Sequence, residues 1–99
     1  MYYIYMLRCK DNSIYTGITT NLDRRMEEHF NKDKKAAKYT KRVGALKLEK
    51  SFKTDNRKNA SKLEWHIKRL NKKQKEEFLL TSNFGVFKGK IQKENYIKI

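Results

Sequence analysis

Sorted by type and spacing, the side chains of this sequence with chemical reach fall into three pairs. Tyr5 and Tyr15 stand ten positions apart in two segments of strand composition, Arg25 and His29 stand four apart in a helical pattern, and Glu64 and Lys68 stand four apart in a second one. A phenol has a reference pKa of about 10, so it takes up a proton at neutral pH only if nearby positive charge lowers that value. Arg25 and His29 are sources of such charge, and the guanidinium is also a permanent, forked ligand for phosphate oxygens. Ordinary structural readings stand beside these. Aromatic residues pair across strands simply to stabilise sheets, and a Glu with a Lys four residues on is usually a solvated ion pair worth roughly 0.2–0.5 kcal/mol.

The elements that must position these pairs are legible in outline. Residues 2–8 are aromatic and apolar enough for a strand, Asp11-Asn12-Ser13 supplies a turn, and residues 14–18 resume as a second strand, so the opening reads as a β-hairpin. Alternation puts Tyr3, Tyr5 and Leu7 on one face with Tyr15 and Gly17, and an antiparallel register brings Tyr5 beside Tyr15. Thr20 or Asn21 caps a helix whose core stripe is Leu22, Met26 and Phe30, with Arg25 and His29 flanking it and pointing toward the hairpin. Residues 31–42 read as a loop or a short helical turn around Ala36 to Tyr39.

Residues 45–52 read as a third strand with Leu46, Leu48, Lys50 and Phe52 on one side and Lys47 and Glu49 on the wetter one. Thr54-Asp55-Asn56 ends it and caps a helix from about Arg57, whose core stripe is Ala60, Leu63, Ile67 and Leu70. Glu64 lies beside that stripe. Trp65 covers the edge of the core and His66 reads as a surface residue. Asn71 and Gln74 form a capping box for a last helix, with Phe78, Leu79 and Leu80 as its apolar side and an end near Ser82 to Gly85. The architecture is therefore α+β: a three-stranded antiparallel sheet flanked by helices, in the order β-β-α-β-α-α. Residues 83–99 scatter apolar side chains among lysines, a pattern compatible with packing and with fraying.

Ninety-nine residues with one cysteine, no proline and 37% hydrophobic content suit a single domain with a modest core. Cys9 has no partner for a disulfide and no cysteine cluster for zinc. No apolar run reaches membrane-spanning length and the opening residues lack the pattern of a signal peptide, so a cytoplasmic location is expected, with no membrane role. The formal charge is +14, from 25 Lys and Arg against 11 Asp and Glu, which favours a polyanionic partner. An AT-rich coding bias toward lysine produces a similar excess, but here the excess is clustered: Lys32, Lys34, Lys35, Lys38, Lys41 and Arg42 fall in one short interval. Such a lip contacts phosphates and carries little base information. Tyr39, inside it, suits either base stacking or packing beneath the loop.

The motif Tyr3-Ile4-Tyr5, then Tyr15-Thr16-Gly17, then Arg25 eight residues past the glycine, resembles the GIY-YIG nuclease superfamily, and most of all its small stand-alone bacterial members. The likeness runs through Ala37-Lys38-Tyr39-Thr40 and the Glu64 helix to about Leu80, giving a nuclease-like domain over residues 1–82 and a C-terminal segment over 83–99. It implies metal-dependent hydrolysis of phosphodiesters in DNA by a structure-selective or weakly specific endonuclease. The partner it implies is nucleic acid, DNA ahead of RNA, and the short length also suits activation by a protein partner. On this resemblance Glu64 is the ligand of one divalent cation, Mg²⁺ or Mn²⁺, and Arg25 neutralises the phosphate. Tyr5 is the general base, with Tyr15 orienting it or the water, and His29 is a relay. Glu64 is the only acid expected among Arg25, His29 and Lys68. Lys34, Lys35, Lys38, Lys41, Arg42 and Lys68 are the nucleic-acid contacts.

Two departures stand out: Tyr3 replaces the first glycine of the family motif and Thr16 its second isoleucine, while neither Asn71 nor Asn83 has the spacing of the bracing asparagine. The competing reading is a DNA- or RNA-binding protein without turnover that uses the same basic site for phosphate.

Overall fold

The computed structural model describes residues 1–31 and 35–99. Strand β1 (Tyr2–Cys9) pairs antiparallel with β2 (Ile14–Thr19), and the helix α1 (Leu22–Phe30) follows. After it come the short helix α2 (Lys38–Val43), strand β3 (Ala45–Thr54), and helices α3 (Arg57–Lys68) and α4 (Lys72–Thr81). Two one-turn 3-10 helices, Phe84–Phe87 and Lys93–Asn95, lead to a two-residue strand β4 (Ile97–Lys98). The sheet is four-stranded and antiparallel, in the order β2-β1-β3-β4, one strand more than the sequence pattern shows.

Caps set the helix starts as their residue types demand. Asn21 accepts from the Arg24 amide and Asn56 from the Asn59 amide, while Asn71 and Gln74 close both arms of a capping box. Ser82, in the left-handed region at φ 54°, ends α4.

The sheet separates two cores. Behind it, Ile4, Met6 and Phe52 meet Ala60, Leu63 and Ile67 of α3, Phe78 of α4, and Phe87, Ile91 and Tyr96 of the C-terminal segment. Residues 83–99 thus pack as part of the main core, and the Ile99 amide bonds to the Ser51 carbonyl at 3.0 Å. In front, Tyr5, Leu7 and Ala45 form a smaller cluster with Tyr15, Leu22 and Met26. Arg8 pins the layers, with Nε on Glu49 at 2.9 Å and two parallel bonds of 2.6 Å to Glu76 of α4.

Three expectations about faces are corrected. In β3 the pairing with β1 slips between Met6 and Leu7 and again between Arg8 and Cys9, so Leu46 and Leu48 end up 58% and 37% exposed while Ala45 is buried. Each slip inserts an extra residue and breaks the two-residue period that put Leu46 and Leu48 inside. In α1 the buried side chain near the C-terminus is His29, not Phe30, because two polar partners receive the imidazole. In α4 Phe78 is buried but Leu80 is 86% exposed.

Candidate active site

The register of the hairpin sets Tyr5 opposite Gly17 and Leu7 opposite Tyr15, so the two phenols are diagonal neighbours on the front face, rings 6.3 Å apart. Gly17 is there because of Tyr5. A Cβ at position 17 would lie 2.5 Å from the Tyr5 hydroxyl oxygen and 2.7 Å from Cζ, so only a residue without a side chain lets the phenol lie across β2. Thr16, on the opposite face, buries its hydroxyl with no hydrogen-bond partner among the described residues, a cost the isoleucine of the family motif would not carry.

From α1, His29 enters between the strands and α2. Thr40 Oγ1 donates to the Ala37 carbonyl at 3.1 Å, so it must accept from His29 Nδ1–H at 2.7 Å. That leaves Nε2 as a bare lone pair, and the Tyr5 hydroxyl donates to it at 2.8 Å. Arg25 Nε then reaches the phenol oxygen from the other side at 3.4 Å. The result is a directed chain from Arg25 through Tyr5 and His29 to Thr40 and the α2 backbone. Burial, reinforced by the Arg25 charge, holds His29 neutral by pushing its pKa down to about 4.

The same burial acts on Tyr5 against expectation. Its phenol is pushed up to about 12: desolvation outweighs the Arg25 hydrogen bond, and the charges of Tyr15 and Glu64 add to the rise. Tyr5 therefore takes a proton only as its own passes to His29.

Arg25 is held by Glu28 at 2.7 Å and by the Lys35 carbonyl at 2.5 Å. Glu28 is a second acid in the site, which corrects the expectation that Glu64 stands alone; the Arg25-to-Glu28 spacing of three in a helix is the signal that would have found it. Glu64 approaches from behind. Its helix packs on the back of the sheet through Ala60, Leu63 and Ile67, and the Glu64 charge bears on the Tyr5 phenol. Its partner Lys68, Nζ 3.2 Å from Oε2, lies 5.9 Å over the Tyr15 ring. Tyr5, Tyr15, Arg25 and His29 thus touch one another around the hairpin, and Glu64 is tied to them through its charge on Tyr5 and through Lys68 over Tyr15.

A cleft beside them is lined by Tyr15, Thr16, Tyr39, Lys68, Lys72 and Lys75. Tyr39 stacks on Tyr15 at 6.1 Å and 16°, and its hydroxyl bonds to Ser13 Oγ. Tyr39 therefore packs, and Lys72 and Lys75 join the cleft from a helix that carried no sign of it in sequence. Lys38, Lys41 and Arg42 are exposed on α2 and Lys35 precedes it, while Lys32 and Lys34 lie outside the described residues. Among the described residues no three His, Cys, Asp or Glu side chains cluster to hold a metal. Glu64 offers a single hard oxygen, a donor set that fits one Mg²⁺ or Mn²⁺ with water and phosphate oxygens completing its shell, and does not fit structural zinc.

Comparison with known proteins bears on the family and the fold. The GIY-YIG catalytic domain matches residues 1–77. A UPF0213 protein of Fusobacterium nucleatum is 47% identical over 78 residues, which is 79% of this chain and 76% of that one. A UPF0213 protein of Clostridium perfringens is 38% identical over 99% of this chain and 96% of its own. The solution NMR structure of a UPF0213 protein from Bacillus halodurans superposes with a TM-score of 0.53 at 34% identity, covering 93% of this chain and 98% of that one. No helix among the described residues is long and apolar enough to cross a membrane.

Proposed function

The chain belongs to the GIY-YIG catalytic domain family, and from that membership we propose that it is an endonuclease that hydrolyses phosphodiesters of cytoplasmic DNA, weakly specific for sequence and dependent on one divalent cation. The observation that carries this reading is the directed hydrogen-bond chain from Arg25 through Tyr5 to His29, set beside the Glu64 carboxylate.

Hydrolysis needs a water deprotonated as it attacks, charge neutralisation on the phosphate, and a path for the proton. Tyr5 gives its hydroxyl proton to His29 Nε2 while accepting one from the water, so neither a free phenolate nor a charged imidazole is needed beforehand. Thr40 and the Ala37 carbonyl keep the receiving nitrogen bare. Arg25, already steadied by Glu28, offers its guanidinium to a non-bridging phosphate oxygen, and Tyr15 orients the phosphate or the water. Glu64 would hold the Mg²⁺ or Mn²⁺, which when bound would supply Lewis-acid polarisation of the phosphate and charge stabilisation of the leaving oxygen. Lys34, Lys35, Lys38, Lys41, Arg42 and Lys68 hold the backbone of the substrate.

One observation favours the second reading, a nucleic-acid-binding protein without turnover: the Glu64 carboxylate already has a cation, Lys68, at 3.2 Å. Glu64→Ala separates the two. It is expected to abolish Mg²⁺- or Mn²⁺-dependent cleavage on a panel of branched, flapped, nicked, duplex and single-stranded DNA while affinity stays equal or rises, since a charge that repels phosphate is gone. Arg25→Ala is expected to lower both, because its charge serves ground and transition states alike. A parent protein that cuts nothing on the panel hands the site to the binding reading.

A further inference from the structure

Behind α3, away from the candidate active site, the only tryptophan of the chain stands in the open. Trp65 is 54% exposed. It follows Glu64 by one residue, which turns it about 100° around the helix, out of the core and past the flank that carries the carboxylate. The Arg69 guanidinium carbon lies 4.6 Å from the centre of its ring, and the His66 ring meets its edge at 4.8 Å. Beside them a cleft runs between α3 and the 3-10 segment, lined by Trp65, His66, Arg69, Phe87, Lys88 and Lys90. The charges bearing on His66 are those of Lys90, Lys62 and Arg69, and all are positive.

His66 meets the buried Phe87 edge-on at 6.1 Å, but the outer part of the arrangement, the indole and the cations, adds little to the fold. An exposed indole adds no core, and like charges crowded around one imidazole repel one another. The combination suits an anionic ligand with a flat face: cations for phosphate oxygens and an aromatic platform for a base. We infer that the back of α3 is a second nucleic-acid site, in which one unpaired base stacks on Trp65 while Arg69, Lys88 and Lys90 hold the flanking phosphates. Stacking requires a base free of its own neighbours, so the occupant is a single strand and not the side of a duplex. Because Glu64 and Trp65 are adjacent on one helix, a flexible strand leaving the catalytic face reaches Trp65 by rounding α3, a path that a stiff duplex does not follow.

The inference rests on the nucleic-acid reading above, and its test is independent of cleavage. Trp65 is the only indole, so its fluorescence reports this surface alone. In the Glu64→Ala protein, titration with an oligothymidylate is expected to quench Trp65 saturably, with a midpoint that rises steeply with salt. A blunt duplex of equal length should quench far less. Lys88→Glu with Lys90→Glu, both exposed, should weaken the quenching titration at least tenfold with unchanged circular dichroism. By anisotropy of a labelled strand, Trp65→Ser should bind roughly tenfold more weakly, the scale of one lost base stack, and Trp65→Phe should retain most of the affinity. Strand binding by anisotropy with a silent Trp65, or quenching indifferent to the Lys88 and Lys90 changes, overturns the site even if the protein cleaves DNA. Quenching by a protein partner but not by oligothymidylate overturns it in favour of a protein interface. Saturable quenching in a protein that cleaves nothing upholds the site and sinks the nuclease reading.

Discussion

His29 shows how a single side chain takes its role from its neighbours. In sequence it flanks the α1 stripe, facing the hairpin as a relay; in the fold it is wholly buried, with Thr40 on one nitrogen and Tyr5 on the other. Thr40 sits eleven residues away in a stretch whose visible signal is lysine, so nothing in the pattern tied it to the imidazole. The facing of the two phenols and of Arg25 with His29 follows from strand and helix periods, whereas spacing alone makes Glu64 an ordinary ion pair with Lys68, and its role comes from the family resemblance. The fate of the Tyr5 proton was not legible, since it depends on desolvation, a property of the packed interior. Neutral His29 also makes stability depend on pH. Its pKa is about 6.5 unfolded and about 4 folded, so the unfolded chain binds the proton more readily and stability drains away as pH falls from 6.5 toward 4. The full effect is up to about 3 kcal/mol. Urea melts between pH 7.5 and 5, above the range in which carboxylates titrate, are expected to show this loss, and His29→Gln should flatten the slope. An equal slope in the variant would assign the pH dependence to another group.

At the scale of elements, the hairpin, α1, α3 and α4 are readable from periodicity and caps, down to Asn21, Asn56 and the Asn71 box. What escaped reading shares one physical cause: its structure is set by distant partners and not by its own pattern. The two slips in β3 answer to β1, α2 answers to the imidazole behind it, and the C-terminal segment answers to the back of the sheet. That last segment contributes Phe87, Ile91 and Tyr96 to the main core at 4%, 5% and 8% exposure. Burying three such side chains is worth roughly 6 kcal/mol in all, comparable with the entire stability of a domain this size at about 0.05–0.15 kcal/mol per residue. A chain ended after Ser82 is therefore expected to lose its cooperative thermal transition and to expose apolar surface to a hydrophobic dye. A sharp melt within a few degrees of the full chain would show that residues 1–82 stand alone.

Across the whole molecule the net charge of +14 is carried on several faces: the α2 lip, the cleft beside Tyr15, and the back of α3. Binding to DNA should therefore fall linearly on a logarithmic salt axis, with a slope near −0.9 for each phosphate neutralised. Replacing Lys38 and Lys41 together by alanine is expected to weaken all sequences about equally and to flatten that slope by about 2. A slope identical to that of the parent would mean that these two side chains touch no phosphate.

The division of labour across the sheet has a consequence for how such a protein changes over generations. Most of the cohesion resides in the larger aromatic and aliphatic layer behind the strands, whereas the hydrogen-bond chain of Arg25, Tyr5 and His29 runs through the smaller cluster in front. On the nuclease reading proposed above, substitutions at the partly exposed Glu64 or Arg25 leave the rear layer untouched, so drift at these positions would erase turnover before it erased the fold. A descendant that loses its carboxylate inherits a folded, strongly basic scaffold, and the passage from enzyme to passive strand holder is open to a single codon change.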